Sequence, residues 1–147
     1  MTGFNRHALA LLLGTAFIGT AALAETPTIS VYKSPTCTCC EKWIAHLEQE
    51  GFDVDAIDTS DLGIVKSMAG IPPEQASCHT ARVGDYVIEG HVPAQDIRRL
   101  LAEHPDARGL TVPGMPLSAP GMDVPSTQHY QVLLIGKDGG TSVFAQH

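Results

Sequence analysis

Basic residues are scarce in this chain of 147. Nine Lys and Arg stand against sixteen Asp and Glu, for a formal net charge of −7. No run of Lys and Arg occurs, so nothing is available to neutralise phosphates, and a nucleic-acid partner is excluded. A Gly-rich phosphate loop, a G-x-S-x-G nucleophile turn and a paired-carboxylate motif are also missing, which leaves nucleotide-binding and hydrolase readings without residues. Neither a solenoid-length repeat nor a linker between two domains is visible.

Long apolar runs are almost absent too. The one candidate lies at the start, where Arg6 and His7 precede an apolar segment over 8–18 that continues in small residues to Leu23. Gly14, Thr15, Gly19 and Thr20 break it, so it is a poor bilayer span, which needs about 20 apolar residues. Ala22-Leu23-Ala24 fits the small-x-small pattern of a signal-peptidase site. The expectation is a secretory signal over residues 1–24, cleaved after Ala24, and a single acidic domain over 25–147 that works in the periplasm with no membrane insertion.

What remains alternates strands and helices. Ile29 and Val31 alternate against polar neighbours in a first strand that ends at Ser34-Pro35. Cys40, Trp43, Ile44 and Leu47 have helical spacing, and Gly51 stops that helix. A second alternating stretch runs over 52–57. Asp58-Thr-Ser-Asp61 carries helix-start chemistry, and Leu62, Val65, Met68 and Ala69 mark one face, expected to be core. Strands over 79–83 and 86–89 flank Gly84-Asp85, a two-residue hairpin signal. Pro93 opens a third helix with Ile97, Leu100 and Leu101 as its stripe. Five of the ten prolines then fall within 105–125, which excludes a long helix or a central strand there. A hairpin around Gly136-Lys-Asp-Gly-Gly140 closes the chain. The order β-α-β-α-β-β-α is that of a thioredoxin-like α/β fold, a mixed sheet flanked by helices, followed by a Pro/Gly/Met loop and a β-hairpin.

The chemistry concentrates in Cys37-Thr-Cys39-Cys40, between the first strand and the first helix. Free N–H groups and the helix dipole at that point favour thiolates. Cys37 and Cys40 have redox-pair spacing, yet Cys39 adds a sulfur that a dithiol does not need, and adjacent cysteines bridge each other badly. Three readings follow. Two structural disulfides would use all four cysteines. A thiol–disulfide oxidoreductase would use Cys37 and Cys40. A soft metal would use the surplus, and bridging sulfurs suit several copper(I) ions; zinc normally comes with a second Cys or Cys/His pair, absent here. Cys78, just before the third strand, faces the same turn in this topology. His79, His91, Met115 and Met122 carry soft or borderline donors, with core packing or loop pinning as the alternative use of each. His129 and His147 are weaker candidates, and His46 and His104 read as helix-surface residues. Trp43 packs its helix on the sheet, and Glu41 and Lys42 form a solvated face.

The cysteine triplet after a Ser-Pro-Thr turn resembles the CopG-type periplasmic copper-resistance proteins. So do Ser77-Cys78-His79-Thr80, the segment 86–93, and the two Pro-Gly-Met turns ending at Met115 and Met122. The resemblance spans essentially all of residues 25–147. It implies a thioredoxin-like fold, a cysteine-bridged copper(I) cluster on Cys37, Cys39, Cys40 and Cys78, a role in copper tolerance among other periplasmic copper-handling proteins, and interconversion of copper(I) and copper(II). Thr38 departs from the glycine common between the first two cysteines. It restricts the backbone, and its hydroxyl is available to cap the helix.

Overall fold

The computed structural model describes residues 27–122 and 124–147. The expected signal over 1–24 lies outside them. Seven strands form one mixed sheet, in the order β2-β1-β3-β4-β5-β6-β7. The elements along the chain are β1 (Ile29–Lys33), α1 (Thr38–Gln49), β2 (Val54–Asp58), α2 (Leu62–Ala69), a short 3-10 turn (Pro73–Gln75), β3 (Thr80–Val83), β4 (Tyr86–Glu89), α3 (Ala94–Glu103), β5 (Gly109–Thr111), β6 (Gln131–Ile135) and β7 (Thr141–Gln146).

β1 and β2, joined by α1, run parallel, and β3 pairs antiparallel with β1 on its other side. Gly84 and Asp85 make the tight turn between β3 and β4, with Val83 opposite Tyr86 and Gly84 at φ +56°. Helices cover both faces. α1 contributes Trp43, Ile44 and Leu47, and α3 contributes Ala94, Ile97 and Leu100, to a core with Ile29, Val31, Ala81, Ile88 and Leu110. The opposite face packs Ala69, at the end of α2, and Ile71 on Val87 and Ile135. Val87 and Ile88 are neighbours on one strand and point to opposite faces, as the pleat requires.

Three local expectations differ from the structure. Gly109–Thr111 lies inside the proline-rich stretch and is nevertheless a central strand, parallel to β4 and antiparallel to β6. Gly109 permits this because a Cβ there would lie 1.8 Å from the Val87 carbonyl oxygen. Met68 is on the surface, 82 % exposed; the outward side of α2 carries it with Ile64, and only Ala69 of that helix is buried. The Thr38 hydroxyl is not a cap: Cys37 is the N-cap residue of α1, and among the described residues no side-chain capping hydrogen bond is made there.

Candidate metal centre

The strand β1 ends on Lys33, and the chain turns through Ser34-Pro35-Thr36 before entering α1. The Cys37 N–H donates to the Ser34 carbonyl at 3.1 Å, which closes that turn. Lys33 braces it from below. Its side chain is covered, and its ammonium reaches Asp58 at 2.7 Å and also pairs with Glu41 in the first turn of α1. Hydrogen bonds to Asp58 and then Glu41 raise the Lys33 pKa. The cysteine triplet is therefore held at a fixed helix start, with Cys40 buried and Cys37 and Cys39 half-buried.

Cys37 and Cys40 form a disulfide, and Cys39 and Cys78 are free thiols among the described residues. The antiparallel seam of β1 and β3 brings the loop before β3 alongside the triplet. Cys78 Sγ lies 3.7 Å from Cys40 Sγ, and Cys39 Sγ lies 3.5 Å from Cys37 Sγ. All four sulfurs lie within 4.8 Å of one another. Cys78 also belongs to a second group of three donors with His79 and His91, equally close. Its sulfur is 3.3 Å from His79 Nδ1 and 3.0 Å from His91 Nε2.

The two histidines come together through the β3–β4 register. Thr80 faces Glu89, so the residues just beyond them, His79 and Gly90, meet, and the Gly90 N–H donates to the His79 carbonyl at 3.1 Å. His91 Nδ1 is 2.7 Å from the Pro120 carbonyl. A carbonyl only accepts, so the network assigns the proton to Nδ1 and leaves the Nε2 lone pair facing Cys78. The His79 ring lies 4.3 Å from Trp43, whose indole N–H donates to the Val92 carbonyl at 2.9 Å. Among the described residues, His79 Nε2 is buried without a hydrogen-bond partner.

Burial dominates the electrostatics here. It pushes the Cys78 thiol up to about 12, with the charge of Cys39 adding to the effect. Burial, reinforced by His91 and Lys66, lowers His79 to about 3, and burial also lowers His91. Without metal, then, Cys78 is a neutral thiol among neutral imidazoles, a soft donor set that loses its proton to a bound cation.

A pH dependence follows. His79 stays neutral when folded, whereas the unfolded chain takes up a proton below its ordinary 6.5. Its contribution to stability is fully present above 6.5 and drains as pH falls toward 3. The metal-free protein is expected to unfold at lower urea at pH 5 than at pH 7, a range above the ordinary carboxylate values of about 4. His79→Asn should flatten that slope, and an unchanged slope would remove His79 as its cause.

Two solved structures closely resemble the chain. One, titled "Copper resistance protein copG- Form 2", is 42 % identical, with a TM-score of 0.79, over 84 % of this chain and 99 % of that one. The other, Form 1 of the same protein, is 41 % identical with the same TM-score, over 84 % of this chain and 98 % of that one. The chain belongs to the CopG copper-resistance family. A family described as "Protein of unknown function, DUF411" also matches, over residues 75–122. That stretch holds Cys78, His79, His91, Met115 and Met122, but not the triplet. No curated protein matches the chain.

Within this CopG-family chain the structure gathers Cys37, Cys39, Cys40, Cys78, His79 and His91 at one point. The Pro/Gly loop comes to the same place: Gly121 lies against the backbone of Trp43 and Cys39, and the Met122 N–H donates to the Ala119 carbonyl at 3.2 Å. Met122 is half-buried, while Met115 is 53 % exposed. His129 and His147 sit apart, beside β6 and β7, where His147 Nε2 is 2.8 Å from Asp96. His46 is not a plain surface residue: its Nε2 accepts the Ala94 N–H at 3.3 Å and so caps α3. His104 ends α3 as its C-cap residue, at φ +47°. Glu41 is exposed, yet it is committed to Lys33 and not only to solvent. Sequence reading missed Lys33, Lys66, Glu89 and the Pro120 carbonyl, whose roles appear only once the strands are registered.

Among the described residues, no helix is long and apolar enough to cross a membrane.

Proposed function

We propose that this protein binds copper(I) in the periplasm through the thiolates of Cys37, Cys39, Cys40 and Cys78, and that this contributes to copper resistance. One observation carries the reading: four sulfurs from two segments 38 positions apart converge within 4.8 Å at a helix start. That is more sulfur than any dithiol reaction uses, and it is the soft, bridging donor set that copper(I) prefers. Reduction of the Cys37–Cys40 disulfide by an external dithiol, which gives up two electrons and becomes a disulfide itself, supplies the last two thiolates. His79, His91 and Met122 stand next as further donors, with the exposed Met115 after them. The proposal includes a signal over 1–24 removed on export, a working domain over 25–147, exchange of copper with other periplasmic copper-handling proteins, and interconversion of copper(I) and copper(II).

The Cys37–Cys40 disulfide itself favours a second reading, a thiol–disulfide oxidoreductase. One experiment separates the two. The reduced protein is loaded with copper(I) and challenged with a chelator, and the retained metal is counted. More than one copper per chain is expected; less than one would sink the copper-binding reading. Catalytic reduction of insulin disulfides by the metal-free protein would favour the second.

A further inference from the structure

One buried carboxylate gathers contacts that its sequence position did not announce. Glu89, the last residue of β4, is 0 % exposed. Its Oε1 accepts from the Lys66 ammonium at 2.5 Å and from the Ser77 backbone N–H at 2.6 Å. Its Oε2 accepts from the Thr80 hydroxyl at 2.7 Å, and Lys66 donates to that same hydroxyl at 3.0 Å. Buried ion pairs are a poor source of net stability, because desolvation offsets most of the attraction. The placement of this one is more informative than its energy.

Ser77 and Thr80 bracket Cys78 and His79. Residues 76–79 belong to neither strand nor helix, and the ladder reaches them only where the Gly90 N–H meets the His79 carbonyl. On the Ser77 side of the cysteine Glu89 supplies the acceptor that a ladder would, and on the other side it ties the side chain of Thr80, the first residue of β3. The opposite side is pressed equally closely. Gly90, at φ +71°, has no room for a Cβ, which would lie 2.6 Å from Ser77 Cβ. Ala76 is tied at its carbonyl by the Gly114 N–H at 3.1 Å.

We propose that Glu89, backed by Lys66, is a positioning residue for Cys78: it grips Ser77 and Thr80 so that the Cys78 sulfur is presented to Cys40. The effect on the thiol stands alone; the effect on metal rests on the copper-binding reading above. Outer-sphere partners of metal ligands typically change affinity by about 10–100-fold.

The test uses the full protein, reduced and metal-free, with Glu89→Gln and the double variant Lys66→Met/Glu89→Gln. Iodoacetamide labelling of Cys78, followed by peptide mass spectrometry, reads its position, with Cys39 as internal reference. Copper(I) competition against a chelator reads the consequence. In Glu89→Gln the Lys66 ammonium loses its counter-charge, and Cys78 is expected to label severalfold faster while Cys39 does not, with copper(I) affinity down by about 10–100-fold. The double variant removes the stranded charge and keeps an acceptor for Ser77, so it should recover both readouts. Should both variants melt earlier, yet label Cys78 at the wild-type rate while folded, the pair is structural only and the proposal is overturned. Faster labelling with unchanged copper affinity would uphold the positioning and remove Cys78 from the ligand set. Should Glu89→Gln fail to fold, Thr80→Val deletes one of the grips without changing side-chain shape, and an unchanged Cys78 rate in that variant would overturn the proposal.

Discussion

Cys39→Ser is expected to lower the copper(I) retained by the reduced protein by at least one ion per chain, and Cys78→Ser to do the same. The reasoning is one of sulfur arithmetic. Cys39 takes no part in the Cys37–Cys40 disulfide, yet its sulfur sits 3.5 Å from Cys37. A thiol enzyme built on that disulfide keeps both its sulfurs when Cys39 is lost. A cluster built on shared sulfurs loses a bridge, and each bridge serves more than one ion. Cys39 is half-buried and outside the disulfide, so exchanging sulfur for oxygen breaks no covalent link and costs about 1 kcal/mol, the ordinary effect of a point change. The measurement is metal per chain after chelator competition, with the melting temperature as a control. Full copper retention in Cys39→Ser, together with intact insulin reduction, would move the weight to the oxidoreductase reading.

Gly121→Ala should be among the most damaging single-methyl changes in the protein. Its Cβ would lie 2.6 Å from the Trp43 nitrogen, 2.9 Å from the Trp43 Cα and 3.1 Å from the Cys39 carbonyl oxygen. All three are main-chain atoms of α1 and cannot rotate aside. At φ +84° the residue also sits where a side chain costs about 1–2 kcal/mol before any clash. Clash and strain together are expected to exceed about 3 kcal/mol, within the range for overpacking added to a conformational penalty. The loop must lift, and it takes with it the Pro120 carbonyl that fixes the His91 tautomer. Urea unfolding reads the stability, and nitrogen-15 shifts of the His91 ring read the tautomer. Gly114→Ala is the matched control: φ is +68°, but nothing lies within 4 Å of its Cβ, so only the strain should appear. Equal losses at both glycines would mean that the close approach to α1 carries no energy.

How much of this was legible beforehand depends on the range of the interaction. α1 was plain in the 3.6-residue spacing of Cys40, Trp43, Ile44 and Leu47, and all four are buried. The β3–β4 hairpin was plain in Gly84-Asp85. β5 was hidden because a three-residue strand among prolines has no period to read, and because Gly109 is required by a backbone contact rather than by a turn. Met68 misled because an apolar face on a short helix need not be the face that packs. At the centre, the triplet stood out by density alone, and Cys78 could be placed from topology. Glu89 could not: in sequence it ends an alternating strand as an ordinary acid, and its partners Lys66 and Ser77 lie 23 and 12 positions away. The CopG resemblance read from the cysteine triplet and the Pro-Gly-Met turns agrees with the 42 % identity to a copper resistance protein.

The pairing of β1 with β3 governs timing as well as geometry. Until β3 docks beside β1, a newly made chain presents three sulfurs in one turn and a fourth at the far end of a 38-residue tether. Closing that tether costs conformational entropy, and only the collapsed chain recovers it. A cation that prefers the complete set therefore discriminates between folded and unfolded chains. It adds about 2.7 kcal/mol of apparent stability at a hundred times its dissociation constant. On the copper-binding reading, cargo and clasp become the same object: whatever strips the metal also loosens the join between the β2–β1 pair and the other five strands.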